Sequence, residues 1–198
     1  MTKLFTIIAA LAISGIAFGE YSVTYSWEGT ATIMGSYGDI YAEISTEHAH
    51  DSDQSLYLLD QASSGTPQAF VALITDIQVG DSVYGEFWRY DVTPGAAPSC
   101  RIWGHWISDP SDINSYTSSA GGNLDYGPGT GWDLTSYTWG SASGDEQHLV
   151  IEVRTYSNSG DDVWVDEMTV TAPDWATILT PDETRLQRET WGSIKSIF

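Results

Sequence analysis

Three side chains that could do chemistry alternate along one short stretch. Arg101, Trp103 and His105 stand at every second position of Ser99–Ile107, which reads Ser-Cys-Arg-Ile-Trp-Gly-His-Trp-Ile. Successive side chains of a β-strand point to opposite faces. These three therefore share a face with Ile107, while Cys100, Ile102, Gly104 and Trp106 share the other. The second set is a core pattern. A guanidinium, an indole and an imidazole on one face fill a core poorly, because each polar head needs a partner, and they line a ligand groove well.

Two further stretches show the same alternation. In Ser82–Asp91, Val83, Gly85 and Phe87 face one way, and Tyr84, Glu86, Trp88 and Tyr90 the other. In Gln147–Tyr156, Leu149, Ile151 and Val153 oppose Glu152, Arg154 and Tyr156. Between Glu20 and Pro173 there is no lysine, and the arginines are Arg89, Arg101 and Arg154, all within predicted strands. Trp88, Tyr90, Arg101, Trp103, His105, Glu152, Arg154 and Tyr156 make a candidate binding floor, which Trp132, Tyr137 and Trp139 either extend or oppose. The same residues also read as a second packed layer beneath Ser108–Gly131, with Arg101–Glu152 or Arg154–Glu86 as ion pairs. Both readings stay open at this point.

The elements that must position these residues are short strands. Tyr21–Trp27, Ile40–Ser45, Gln54–Leu59, Gln68–Ile74, Ser82–Asp91, Ser99–Ile107, Trp132–Trp139, Gln147–Thr155 and Asp162–Thr171 alternate and are separated by Gly, Asp, Ser and Pro. With no amphipathic helical run among them, the expectation is an all-β chain, a β-sandwich jelly roll of about nine antiparallel strands. Ser108–Gly131, with five glycines near its end, reads as the one long loop. Residues 1–19 read as a secretory signal peptide: Lys3, the apolar run Leu4–Phe18 and a small-residue cleavage site at Ala17-Phe18-Gly19. The domain is expected over 20–173 and a linker with a short amphipathic tail over 174–198. Arg185, Arg188 and Lys195 lie in that tail, and Trp191, Ile194 and Ile197 recur at helical spacing. A secreted or cell-surface location follows, with no membrane span in the mature chain.

The formal charge of -20, from 27 acidic against 7 basic residues, repels phosphate backbones and disfavours nucleic acid as a partner. The single cysteine, Cys100, allows no internal disulfide and reads as a small core residue. Nucleophile-elbow, zinc-helix and phosphate-loop patterns are absent from the sequence. Gly127-Pro128-Gly129-Thr130-Gly131 precedes a strand, not a helix, and reads as a turn. His48 and His50, a His-x-His pair without a third ligand nearby, read as surface histidines. The expectation is a protein that is not an enzyme.

Four segments, in this order and spacing, resemble the carbohydrate-binding modules attached to xylanases and cellulases, a galactose-binding-like jelly-roll family. Ser26-Trp27-Glu28-Gly29 resembles an early aromatic-Glu-x-Gly turn, and Ala49–Leu58 a strand start of the "AHSGSYSL" type, with Asp and Gln in place of small residues. Ile74–Asp81 is similar to an "I-x-G-L-x-P-G-D" turn, with Val79 for proline, and Val163–Val170 to a closing "Tyr-Ile-Asp-Asp-Val" strand. The resemblance covers nearly all of Glu20–Ala172. It implies a structural calcium ion tying the first and last strands, with Glu28 and Asp166 as ligands and Asp51 and Asp53 in the matching loop; calcium takes such hard oxygens. It also implies a polysaccharide or glycan as ligand. Indole faces stack on the C–H faces of sugars, and arginine forks grip vicinal hydroxyls or a carboxylate. The alternative is an extracellular structural or surface-layer protein that self-assembles through the same sandwich. The tail Trp191-Gly192-Ser193-Ile194-Lys195 loosely resembles sorting endings of secreted bacterial proteins.

Overall fold

Strands dominate because β-branched and aromatic residues recur at period two between Gly-, Asp- and Ser-rich turns. A computed structural model of the chain describes residues 19–92, 100–155 and 159–181. Among these it forms twelve strands: β1 (Glu20–Tyr25), β2 (Gly35–Tyr37), β3 (Ile40–Ser45), β4 (Ser55–Asp60), β5 (Gln68–Thr75), β6 (Ser82–Asp91), β7 (Arg101–Ile107), β8 (Tyr116–Gly122), β9 (Gly131–Gly140), β10 (Leu149–Arg154), β11 (Asp162–Pro173) and β12 (Thr177–Leu179). The first sheet runs β3-β4-β11-β6-β9, with β1 also on β11. The second runs β12-β5-β10-β7-β8, with β2 also on β5. Every pairing is antiparallel. The chain is an all-β jelly-roll sandwich.

The core lies between the sheets, where Leu56, Leu58, Val71, Ile74, Phe87, Ile102, Trp106, Leu149, Ile151, Val163 and Val165 pack together. Each such side chain contributes about 1.5–3 kcal/mol on burial. Trp139 fills the gap between the sheets and needs two glycines to do so. A Cβ on Gly85 would stand 2.9 Å from its Cζ3, and one on Gly104 would stand 2.9 Å from its Nε1. That indole N–H donates to the Gly121 carbonyl at 3.0 Å. Arg89 is buried, with its guanidinium bound to Asp133 Oδ2 at 2.9 and 2.6 Å and to the carbonyls of Cys100 and Asp125. It closes the interior with a satisfied charge.

Three strands exceed the nine read from the sequence. β8 lies inside the expected Ser108–Gly131 loop; its sequence, YTSSAGG, is mostly polar and exposed and carries no apolar alternation. β2 and β12 have three residues each, too few for a period to show. The domain also continues past Pro173, because β12 pairs with β5 through Thr177, Ile178 and Leu179. Ile178 is buried in the main core, so residues 174–181 belong to the sandwich and not to a linker. The expected signal peptide, except Gly19, and the tail from Asp182 lie outside the described residues. No helix among the described residues is long and apolar enough to cross a membrane.

Candidate functional site

Alternation assigned the faces of the individual strands correctly, but it did not say which strands are neighbours. β7 lies between β10 and β8, whereas β6 belongs to the other sheet. The expected single floor is therefore two floors on opposite sides of the sandwich. Arg101, Trp103, His105, Glu152 and Arg154 lie on the outer face of the second sheet. Trp88 and Tyr90 lie on the outer face of the first. Tyr156 lies outside the described residues.

On the second sheet, register sets two rows across the face. Tyr37, Gln68, Arg154 and Arg101 stand opposite one another across β2, β5, β10 and β7. Next to them stand Phe70, Glu152 and Trp103. Glu152 is fully buried; it accepts a hydrogen bond from Arg154 Nε at 2.6 Å and pairs with His105 Nδ1. A buried carboxylate is tolerated only with such partners. The guanidiniums of Arg101 and Arg154 lie 4.5 and 4.7 Å from the Trp103 ring centroid, and Arg101 also lies 4.8 Å from Tyr126. Trp103 Nε1 donates to Ser119 Oγ on β8 at 2.9 Å. Phe70 and Tyr116 flank His105.

The packed-layer reading holds at one end of this face. There Phe70, Leu73, Ile107 and Val150 form a small second core under Met34, Ile113 and Leu179. At the other end Trp103 is only half-buried, and Tyr37 is 65% exposed. Glu152 pairs with both Arg154 and His105. Arg154–Glu86 is ruled out because Glu86 lies on the opposite sheet.

On the first sheet, register aligns Trp132, Tyr90, Trp164, Tyr57 and Glu43 across β9, β6, β11, β4 and β3. Trp132 thus extends the Trp88–Tyr90 face, while Trp139 points inward and Tyr137 packs on the core. The histidines are surface residues, as read, with His50 exposed and His48 half-buried, and they lie over these rings. His48 stacks on Tyr90 at 4.3 Å, and His50 on Trp88 at 4.0 Å. Tyr57, Trp164 and both histidines are absent from the sequence-read site. The alternation in β4 and β11 carried the signal for the first two. The loop that carries the histidines had no period to read.

A bulge in β11 docks that loop. Pairing with β6 shifts between Asp166 and Thr169, and Glu167 takes a positive φ of 47°, a conformation held by its surroundings. Glu167 pairs with His50 Nδ1. Asp166, fully buried, accepts the His50 N–H at 2.8 Å and the Glu167 N–H at 2.8 Å. Burial holds its carboxyl above the usual carboxylate range, partly offset by the N–H groups of His50, Glu167 and Asp51. Glu28 accepts the Gln54 N–H at 2.9 Å.

The residues present do not fit the calcium ion that the resemblance implies. Glu28, Asp51 and Asp53 are exposed while Asp166 is buried, and the described residues hold no group of three or more His, Cys, Asp or Glu placed to take a metal. Asp166 and Glu28 turn their oxygens to backbone N–H donors of the loop, where calcium would want carbonyl and carboxylate oxygens turned toward itself.

The two-sheet architecture is that of carbohydrate-binding-module jelly rolls. Among solved structures the chain is similar to the CBM22-1 xylan-binding domain of Paenibacillus barcinonensis Xyn10C, with 15% identity, 76% of this chain and 93% of that chain covered, and a TM-score of 0.50. The CBM22-1-CBM22-2 tandem of the same protein gives 15% identity and a TM-score of 0.52 over 76% of this chain and 45% of that one. An arabinose-bound α-L-arabinofuranosidase, MgGH51, gives 9% identity and 0.51 over 74% and 25%. No protein-family model matches the sequence, and no curated protein matches it. Likeness at this identity shows the fold, and one fold hosts many functions. The ligand has to be argued from the residues.

Proposed function

We propose that the chain is a secreted, non-catalytic carbohydrate-binding module that holds a polysaccharide against the outer face of its second sheet. The observation that carries this reading is the assembly around Trp103: a half-buried indole with two guanidiniums within 5 Å of its ring, one of them fixed by the buried Glu152. Arg154 is held by Glu152 and the Trp103 N–H by Ser119, so little side-chain entropy is lost at these two when a ligand docks. Trp103 offers a flat surface to the C–H face of a sugar ring. Arg101 and Arg154 offer planar donors to hydroxyls or to a uronic carboxylate. Glu152 and His105 are positioning residues for Arg154 and need not touch the ligand.

The CBM22-1 domain to which the fold is similar is described as xylan-binding, and a neutral or uronic-acid-substituted plant polysaccharide is the ligand class we assign. Secretion rests on the signal-like pattern of residues 1–19. Calcium is not part of the proposal. The test is a polysaccharide array probed with the mature chain, followed by calorimetry on the best ligand. Binding to a xylan-type or other plant polysaccharide supports the reading. A blank array, together with self-association in light scattering, replaces it with the assembly alternative.

A further inference from the structure

The two sheets differ in the charge they carry. Every strand of the first sheet has at least one Asp or Glu. In the strands of the second sheet the single acid is Glu152, set against Arg101 and Arg154. Arg89, the remaining arginine of 20–173, is 2% exposed and bound to Asp133 inside the sandwich. A chain of formal charge -20 therefore brings two half-buried guanidiniums together on one outer face.

Register sets these two against each other. Arg101 and Arg154 stand directly opposite on β7 and β10, where like charges repel. Glu152 offsets part of this, but its oxygens are divided: Oε1 pairs with His105 Nδ1 and Oε2 with Arg154 Nε. Trp103 holds both guanidiniums over its ring, at 4.5 and 4.7 Å. A guanidinium over an indole spends its flat face there and keeps its N–H edge for an acceptor in its own plane. An anion laid between the two forks cancels the repulsion that the strand pairing imposes.

The face also limits how much charge a ligand can carry. Beyond the arginines the same row crosses β5 and β2 with Gln68 and Tyr37, which offer neutral hydrogen-bonding groups. Three strand spacings, about 14 Å, separate Arg101 from Tyr37. A polyanion along that row meets one cationic pair and otherwise the repulsion of a strongly acidic chain. A neutral chain with an isolated carboxylate meets the pair and then partners for its hydroxyls.

We propose that Arg101 and Arg154 select a neutral polysaccharide that carries isolated uronic acid units, one carboxylate bridging the two guanidiniums. This rests on the Trp103-face reading above and names the group that decides its specificity. A carboxylate is favoured over a sulfate ester because it is planar, like the forks that grip it, and is borne directly on the sugar ring.

The test is calorimetry on the mature chain with four oligosaccharides of equal length. They are a xylo-oligosaccharide bearing one glucuronic acid, its methyl ester, one bearing a single sulfate ester, and an oligomer of uronic acid throughout. The first is expected to bind about tenfold or more tighter than each of the others. Arg101→Gln, with the fold checked by circular dichroism, should cut the preference for the acid over its methyl ester by roughly tenfold. Arg154 is the poorer choice, because it also neutralises the buried Glu152 and its loss would unsettle the fold. Arg101→Lys, which keeps the charge and loses the fork, should retain only part of the preference. Equal binding of the acid and its methyl ester would overturn the carboxylate assignment and leave the Trp103 platform standing. No binding of any oligomer would overturn both. A tighter sulfate or all-uronate complex, or an Arg101→Gln variant with its preference intact, would also overturn the proposal.

Discussion

Replacing Trp103 with alanine distinguishes a binding platform from a packed layer, because the two roles differ in energy by more than the measurement error. In the platform reading the free domain loses two guanidinium–indole contacts, at 4.5 and 4.7 Å, each worth about 0.5–1 kcal/mol. It also loses the 2.9 Å hydrogen bond to Ser119, worth about 0.5–1.5 kcal/mol. The total is about 2 kcal/mol, well within the ~5–15 kcal/mol of an ordinary domain. At ~2–4 °C per kcal/mol for a chain of this size, Tm should fall by about 4–8 °C. Trp106, three residues on and facing the core at 3% exposure, supplies the internal standard. Its removal should cost about 3–5 kcal/mol. Binding should respond in the opposite order of severity: loss of an aromatic anchor costs about 2 kcal/mol or more, about 30-fold in Kd. Thermal unfolding of both variants, with calorimetry on the array-selected polysaccharide, reads both effects. If Trp103→Ala drops Tm as far as Trp106→Ala, Trp103 is packing. If Tm and affinity both hold, the face is not the site.

Other outcomes follow from the same contacts. Glu152→Gln removes the charge shared by His105 and Arg154 at a fully buried position, and should destabilise the domain by about 3–5 kcal/mol in urea unfolding. A loss below about 1 kcal/mol would show that the pair is dispensable. A chelator should leave Tm unchanged, since the backbone N–H groups of His50 and Gln54 already donate to Asp166 and Glu28 and hold the loop; a drop of several degrees would reveal a structural ion. Tyr57, raised from 10.0 to about 12 in the folded state, contributes stability that is complete below pH 10 and lost as pH rises through about 12. Tyr57→Phe should flatten that alkaline limb, and an ultraviolet titration should show one late phenol disappear.

Much of this protein was legible without coordinates, and the limit was consistent. The period-two pattern placed nine strands, and within β6, β7 and β10 it separated core side chains from outward ones correctly. Alternation is a property of one backbone, so a single strand's sequence is enough to display it. The pattern failed where a segment is short or polar, as in β2, β8 and β12, which show no period of their own and are strands because a neighbour offers hydrogen bonds.

Pairing is the part that a strand cannot encode alone. Trp88 and Trp103 sit on outward faces in the sequence and on opposite sides of the molecule in the structure, because β6 hydrogen-bonds to β11 and β9 while β7 bonds to β10 and β8. The same holds for the loop histidines. No period marks His48 and His50, yet a one-residue bulge in β11, more than a hundred positions away, turns Asp166 and Glu167 to receive His50. The sequence by itself determined that the chain is a sandwich with aromatic and charged outer faces. Only the tertiary structure decided which of those residues meet, because register and strand order arise from contacts between segments that lie far apart along the chain.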